Sequence, residues 1–507
     1  MQHNIEINII FIFPGMSAGI GKAGVNSLKM YIDGGEADSV TGEKMNVLDP
    51  ATEEVVDTVP LGGREDARKA IDAAEDAFKR GTWSDIFNSR DRGRVLAKFV
   101  EIVREQEDSL STLLTREHGK VFSEAKAEIQ SLENTFEYYS GFGGKINGTL
   151  TYTRYGKEPL ELKVKRNPLG VCVAIVPFNF PISLFAWKVA PALICGNTVV
   201  VKPASTTPLT EITMVHLLSK AGVPKGVVNI VTGPGGVLGE ELVTNSKVAK
   251  VAFTGSTETG KRILQLASNS IKKVTLELGG SDPAIVMKSA DLERAAAGVF
   301  TGRFRNTGQS CNAVKRVYVE RTIADQFLKT LKHHIEKVKL GHGLNKDSSM
   351  GPLNNSEQLK RIELLVEDAK ERNAKVVVGG ARPDELKRGY FYLPTLLTDV
   401  PDEAEILNVE CFGPALPVVS VKDIEEAIEK ANKTKYGLGA SIWTNDERER
   451  KEAEKRIEAG MLFINFRPFS TPEAPFGGVK ESGLGRELGF EGLKEYLETQ
   501  SIRTYMG

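Results

Sequence analysis

Short apolar runs separated by segments long enough to be helices dominate this chain from residue 171 onward. A first series falls at 171–176, 198–201, 227–231, 248–253 and 274–278, and a second at 284–287, 316–319, 375–378, 416–421 and 461–465. Strand-length runs alternating with helix-length segments build parallel sheets through crossover helices, so the pattern predicts an α/β chain with two doubly wound domains. The length agrees: 507 residues exceed the ~250–300 that one core holds, so two or three domains are expected.

Upstream, apolar residues at Ala67, Ala70, Ile71, Ala74, Ala77 and Phe78 mark one face of a helix over 65–78, and charged helical patterns continue to about residue 140. Two segments share neither rhythm: 149–165 alternates like a strand and 499–506 is a short β-like tail. Residues 1–29 read as a disordered or variable arm, with Met30 as an alternative start. The apolar stretch at 9–13 is too short to span a bilayer, and Glu6 precedes it where a signal peptide has Lys or Arg. Gly19-Ile20-Gly21-Lys22 is no phosphate loop, because Met16 takes the first glycine position and Ala23 follows the lysine. A cytoplasmic protein is expected.

Lys and Arg total 66 against 67 Asp and Glu, so no single-sign field is available for nucleic acid or an anionic membrane, and a small molecule is the expected partner. The four cysteines, Cys172, Cys195, Cys311 and Cys411, have neither CxxC spacing nor a nearby His, which argues against disulfides and zinc alike. Cys172 and Cys195 sit in apolar sequence and are expected to be inert core residues. The histidines, His333, His334 and His342 among them, are expected to face solvent without a metal role.

Cys311 ends Phe304-Arg305-Asn306-Thr307-Gly308-Gln309-Ser310, a polar turn that is poor core material. Glu277 lies between Leu276 and Leu278 before Gly279-Gly280, where a carboxylate is costly unless it has a role or faces solvent. Asn179 stands in Pro177-Phe178-Asn179-Phe180-Pro181 and can shape a turn or donate to an oxyanion. Together they offer a nucleophile, a base and an oxyanion donor, the parts needed to oxidise an aldehyde through a thioester. Phe253-Thr254-Gly255-Ser256-Thr257-Glu258-Thr259-Gly260 follows a strand and opens a helix, so its amides can meet a pyrophosphate.

In these motifs, and in 187–193 and 475–483, the chain resembles the aldehyde dehydrogenase superfamily from about Met30 to its C-terminus. The resemblance implies a Rossmann-like cofactor domain (30–148 and 168–280), a catalytic domain (281–480) and a small β oligomerisation subdomain (149–167 and 481–507) that would make a homodimer or homotetramer. An exposed hairpin accounts for 149–165 equally well. Cys311, Glu277 and Asn179 would be catalytic. Phe178, Lys202, Ser205, Gly255, Ser256, Gly260, Leu278, Glu410 and Phe412 would hold the cofactor. Trp187, Arg305, Ser310, Asn312, Arg467 and Phe476 would line the aldehyde site.

Ser205 stands where NAD-preferring relatives often have Glu, so NADP is expected to be preferred and NAD possible. Glu277 implies a free acid product; transfer to coenzyme A, typical of relatives without this glutamate, is the alternative. Arg305 suggests a carboxylate on the substrate, as in the succinate-semialdehyde dehydrogenases whose Phe-Arg-Asn-Thr-Gly-Gln is similar. The run Cys-Asn-Ala-Val-Lys-Arg is similar to non-phosphorylating glyceraldehyde-3-phosphate dehydrogenases. A broad-specificity enzyme for aliphatic, aromatic or hydroxy-aldehydes such as lactaldehyde or glyceraldehyde is the alternative. Lys- and Glu-rich helices hint at a heat-stable source.

Overall fold

The computed structural model describes residues 27–85, 88–146 and 148–507. The stretches 9–13 and 19–22 and the arm as far as residue 26 lie outside the described residues. At the end of that arm Leu28 packs on the core, and Lys29 pairs with Asp38 at 2.6 Å.

The first apolar series forms the middle of an eight-stranded sheet. Its order is Gly483–Leu484, Lys273–Glu277, Val248–Thr254, Val171–Ile175, Thr198–Lys202, Val228–Ile230, Met30–Ile32 and Gly35–Ala37. The five strands from Lys273–Glu277 to Val228–Ile230 run parallel, and the edge strands are antiparallel. The chain enters at Val171–Ile175, winds outward to Val228–Ile230, then returns to the other side through Val248–Thr254 and Lys273–Glu277. Such a reversal opens a crevice at the strand ends where ligands bind in α/β sheets.

The second series builds a seven-stranded sheet in the order Lys375–Val378, Thr395–Thr398, Ala415–Val421, Val314–Glu320, Asp282–Val286, Gly439–Trp443 and Met461–Ile464. All neighbours pair in parallel except the first two. Two of these strands escape sequence reading. Gly439–Trp443 begins Gly-Ala-Ser, too small to look like a strand, yet it is buried beside Asp282–Val286; a Cβ on Gly439 would stand 2.5 Å from Asp282 Oδ2. Thr395–Thr398 is a four-residue strand completed only by its neighbours.

The helix expected at 65–78 spans Arg64–Arg80, and Ser89–Arg104, Glu107–His118 and Phe122–Ser140 follow. The two segments outside the main rhythms meet: Leu497–Tyr505 and Thr149–Tyr155 flank Glu158–Pro168 in an antiparallel three-stranded sheet. Leu150, Tyr152, Tyr155, Ile502 and Tyr505 are exposed on it. Among the described residues no helix is long and apolar enough to cross a membrane. The solvent-facing expectation for histidines fails at His118, which is fully buried and accepts from the Lys120 amide through Nδ1.

Candidate active site

The segment 278–281 carries the chain from the eight-stranded sheet into the seven-stranded one, and Gly280 on it touches the turn that bears Cys311. A Cβ on Gly280 would lie 2.7 Å from the Cys311 carbonyl oxygen. The turn itself is unusual: Asn306, Thr307 and Gly308 stand in succession at φ 53°, 57° and 73°. Left-handed backbone is unfavourable for residues with a Cβ, so such a run persists only where its surroundings hold it. Here Thr307 Oγ1 donates to Gly351 O at 3.0 Å, Asn354 N donates to Gln309 Oε1 at 2.9 Å, and Asn306 N donates to Glu124 Oε1 at 2.9 Å. At Gly308 a Cβ would sit 2.3 Å from Gly413 O.

Asn179 is tied to the same turn. Its Nδ2 donates to Gln309 O at 3.2 Å, and its own carbonyl accepts from Asn306 Nδ2 at 2.8 Å and from Lys120 Nζ at 2.9 Å. Lys120 forms a fully buried ion pair with Glu128, and Glu128 Oε1 accepts from the amides of Ile182 and Ser183 at the start of helix Pro181–Ile194. A carboxylate at a helix N-terminus is favourable, and here it anchors the loop that presents Asn179.

Glu277, at the end of its strand, is 2% exposed, and neither carboxylate oxygen has a hydrogen-bond partner among the described residues. Burial drives its carboxyl well above the usual range, Glu487 adds to the rise, and Lys188 and Arg486 oppose it. A Cβ on Gly477 would come 2.7 Å from Glu277 Oε1, so glycine there leaves room for the carboxyl group. Lys188, fully buried, donates to Thr254 Oγ1 at 2.6 Å and to Glu487 Oε1 at 2.7 Å. Burial also pushes the Cys311 thiol up to about 12, with Lys315 opposing and Glu277, Glu410 and Asp282 adding. A thiol so placed is protonated at neutral pH and needs a base at hand.

Beside this cluster three glycines near the strand ends pack closely against side chains. A Cβ on Gly255 would lie 2.4 Å from the Phe253 ring, one on Gly260 2.4 Å from Leu278 Cδ2, and one on Gly279 2.6 Å from Glu410 Oε2. Ser256 caps helix Thr257–Ala267, accepting from Thr259 N at 3.3 Å. Phe178 and Phe412 meet edge to face at 6.0 Å. Lys202 is buried, its Nζ donating to Pro203 O at 3.0 Å; burial lowers its ammonium to about 8, with Glu211 opposing. Ser205 Oγ donates to Gly233 O at 3.3 Å. The amides at the N-terminus of helix Thr257–Ala267, with Lys202 and Glu410, are the residues that could hold a dinucleotide.

A protein-family model, the aldehyde dehydrogenase family, matches residues 37–502. The chain belongs to that family. It is 41% identical over 479 residues to betaine aldehyde dehydrogenase of Bacillus subtilis, covering 94% of this chain and 97% of the relative. It is 39% identical over 482 residues to D-glyceraldehyde dehydrogenase (NADP(+)) of Picrophilus torridus, covering 94% and 96%. Its fold superposes on a crystal structure of an E. coli NADP-dependent enzyme with a TM-score of 0.92 at 37% identity, covering 95% of this chain and 98% of that one. This protein is therefore an NAD(P)-dependent aldehyde dehydrogenase.

In this aldehyde dehydrogenase the residues expected around the substrate fall into pairs. Trp187 and Phe476 are buried with ring centroids 4.8 Å apart. Ser310 Oγ donates to Asn312 Oδ1 at 2.8 Å beside Cys311. Arg305 is exposed, its guanidinium 5.2 Å from the Phe180 ring centroid. Arg467 is half-buried and feels the Arg305 charge, and neither arginine has an ion pair among the described residues. Cys172, Cys195 and Cys411 are buried, and no metal-binding cluster of His, Cys, Asp or Glu occurs among the described residues.

Lys315, Glu487, Lys188 and Glu211 belong to the site or its surroundings without being legible as such in the sequence. Lys188 and Lys315 sit inside recognisable motifs but look like ordinary charges. Glu487 and Glu211 carry no local signal, because their meaning comes from neighbours far away along the chain.

Proposed function

We propose that the enzyme oxidises a small anionic aldehyde to the free carboxylic acid with NADP, using Cys311 as nucleophile, Glu277 as base and Asn179 as oxyanion donor. The observation carrying this reading is the buried Glu277 carboxyl group, without a hydrogen-bond partner among the described residues, across Gly280 from the Cys311 turn. A buried carboxyl left unpaired costs stability, so its retention argues for a task. Glu277 takes the thiol proton, directly or through water, as Cys311 attacks the carbonyl. The Asn179 amide and the Cys311 N–H stabilise the oxyanion that develops. A nicotinamide held by Glu410 and Phe412 would supply the hydride acceptor that lets the Cys311 thiohemiacetal become a thioester. Glu277 then activates a water that releases the acid and regenerates the thiol. Aldehyde, water and NADP⁺ thus become acid, NADPH and a proton.

Lys202, Ser205 and the amides of 255–257 would hold the adenosine end and pyrophosphate, and Glu410 and Phe412 the nicotinamide ribose and ring. The Ser205 hydroxyl adds no negative charge against a 2′-phosphate, and Glu211 behind Lys202 is driven toward its neutral form, chiefly by burial. Both features support NADP. Ser205→Glu should turn the preference by tenfold or more in kcat/KM, about 1.4 kcal/mol, toward NAD; wild-type enzyme favouring NAD by that margin would refute the reading.

Arg305 and Arg467 support an anionic substrate, because two neighbouring guanidiniums without an ion pair suit a carboxylate between them. The test is NADP-dependent kcat/KM for succinate semialdehyde beside butanal: a hundredfold preference is expected, about 2.7 kcal/mol. Equal rates would favour the uncharged-aldehyde alternative. Product analysis with and without coenzyme A separates hydrolysis from acyl transfer. The domain limits read from sequence stay part of this proposal, although Gly483–Leu484, placed there in the oligomerisation segment, pairs with Lys273–Glu277 in the eight-stranded sheet; the exposed apolar side chains of the three-stranded sheet support its use in a homodimer or homotetramer.

A further inference from the structure

Lys315, the second residue of strand Val314–Glu320, is fully buried, and its ammonium is shared between two parts of the site. Nζ donates to Ser310 O at 2.9 Å and to Cys311 O, and lies 3.4 Å from Glu410 Oε1. The same Glu410 oxygen accepts from Gly280 N at 3.1 Å, and Gly280 is the residue in backbone contact with Cys311. Gly279 leaves the gap that the other Glu410 oxygen fills. The nucleophile turn and Glu410 therefore share two tethers, one backbone amide and one ammonium.

A buried ammonium is costly without a counter-charge. The charged or titratable groups that act on Cys311 are Lys315, Glu277, Glu410 and Asp282, and Lys315 is the cation among them. Glu410 is its ion-pair partner at 3.4 Å. Neutralisation or withdrawal of the Glu410 carboxylate removes one counter-charge from Lys315 and leaves Asp282 and the Cys311 thiol as the groups on which its positive charge acts.

We propose that Lys315 is a positioning residue that ties the Cys311 turn to Glu410 and sets the reactivity of the thiol, with Glu410 as its moderating counter-ion. This rests on the reading of Cys311 as nucleophile. The test is the rate of Cys311 alkylation by iodoacetamide in the cofactor-free, full-length enzyme, followed by intact mass across pH, with Cys311→Ser as the blank. Lys315→Met should slow alkylation ~tenfold or more near pH 8 and move its profile to higher pH, because each pKa unit is a factor of ten in thiolate. Lys315→Arg should restore much of the rate. Glu410→Gln should speed alkylation by freeing the Lys315 charge. A Lys315→Met profile that overlays wild type overturns the proposal. If Lys315→Met does not fold, Glu410→Gln decides, and an unchanged rate there overturns it. Turnover surviving Cys311→Ser would remove the nucleophile assignment and this inference with it, whereas an inactive Cys311→Ser beside an unmoved Lys315→Met profile removes the inference alone.

Discussion

Gly280 and Cys311 are in backbone contact, a Cβ on the glycine falling 2.7 Å from the cysteine carbonyl oxygen. The contact joins the strand end carrying Glu277 to the turn carrying Cys311. Gly280→Ala must push that turn away, since its other close neighbours, Asp282 Oδ1 and Leu438 Cβ, leave no room behind it. A displacement near ~1 Å can cost on the order of a hundredfold in rate. A fall in kcat of ten- to a hundredfold is expected with melting temperature little changed; unchanged turnover would mean the turn adapts freely.

Arg305 lies over Phe180, next to Asn179, without an ion-pair partner among the described residues. Arg305→Gln should cut kcat/KM for succinate semialdehyde by a factor of about 10–100, of the order of a charge-assisted hydrogen bond, and leave butanal within a factor of about three. Loss of activity on both substrates would assign Arg305 to the structure of the turn instead. Arg467→Gln should give a smaller loss of the same selectivity.

Glu277 must be ionised to act as a base, and its carboxyl is held well above the usual range by burial and Glu487. Turnover is therefore expected to rise with pH along its acid limb. Glu487→Gln removes the neighbouring carboxylate and leaves the Lys188 ammonium unpaired nearby, and both changes favour the Glu277 anion. The limb should move to lower pH. A limb that stays in place or moves upward in the kcat profile would contradict the assignment of Glu277.

Glu211 is buried with neither oxygen hydrogen-bonded among the described residues, and burial raises its carboxyl well above the ordinary value, Glu117 adding to it. The folded state then keeps a proton that the unfolded chain releases above about pH 4.3, so this residue costs stability increasingly as pH rises from there. Glu117 and Asp282, raised to about 7 chiefly by burial, act in the same direction between that pH and about 7. Glu211→Met should raise the melting temperature by a few degrees near pH 8 and by less near pH 4.5. An equal gain at both values, or a loss at pH 8 alone, would contradict this account.

Much of the framework was legible because its signals are local. Apolar runs such as 171–176 and 198–201 declare strands whatever they pair with, and Lys375–Val378 and Met461–Ile464 fall where periodicity places them. Gly439–Trp443 was not legible, since its small residues are strand-like only between two other strands. Cys311, Glu277 and Asn179 stood out as polar residues in costly or turn-forming settings. The polarity of the turn before Cys311 was visible, but its three successive left-handed residues were not, because contacts from 351, 354 and Glu124 impose them.

What the sequence determined by itself is the family, the alternation that makes two parallel sheets, and the identity of the chemical groups, because each depends on residue type and spacing alone. The tertiary structure decided which charges face one another. Lys315 against Glu410 and Lys188 against Glu487 are pairs between residues distant in the chain, and Glu211 and Glu277 are left without hydrogen-bond partners among the described residues. Proton affinity follows from burial and distance to the nearest charge, and neither quantity exists until the two sheets have folded against the segment 278–281.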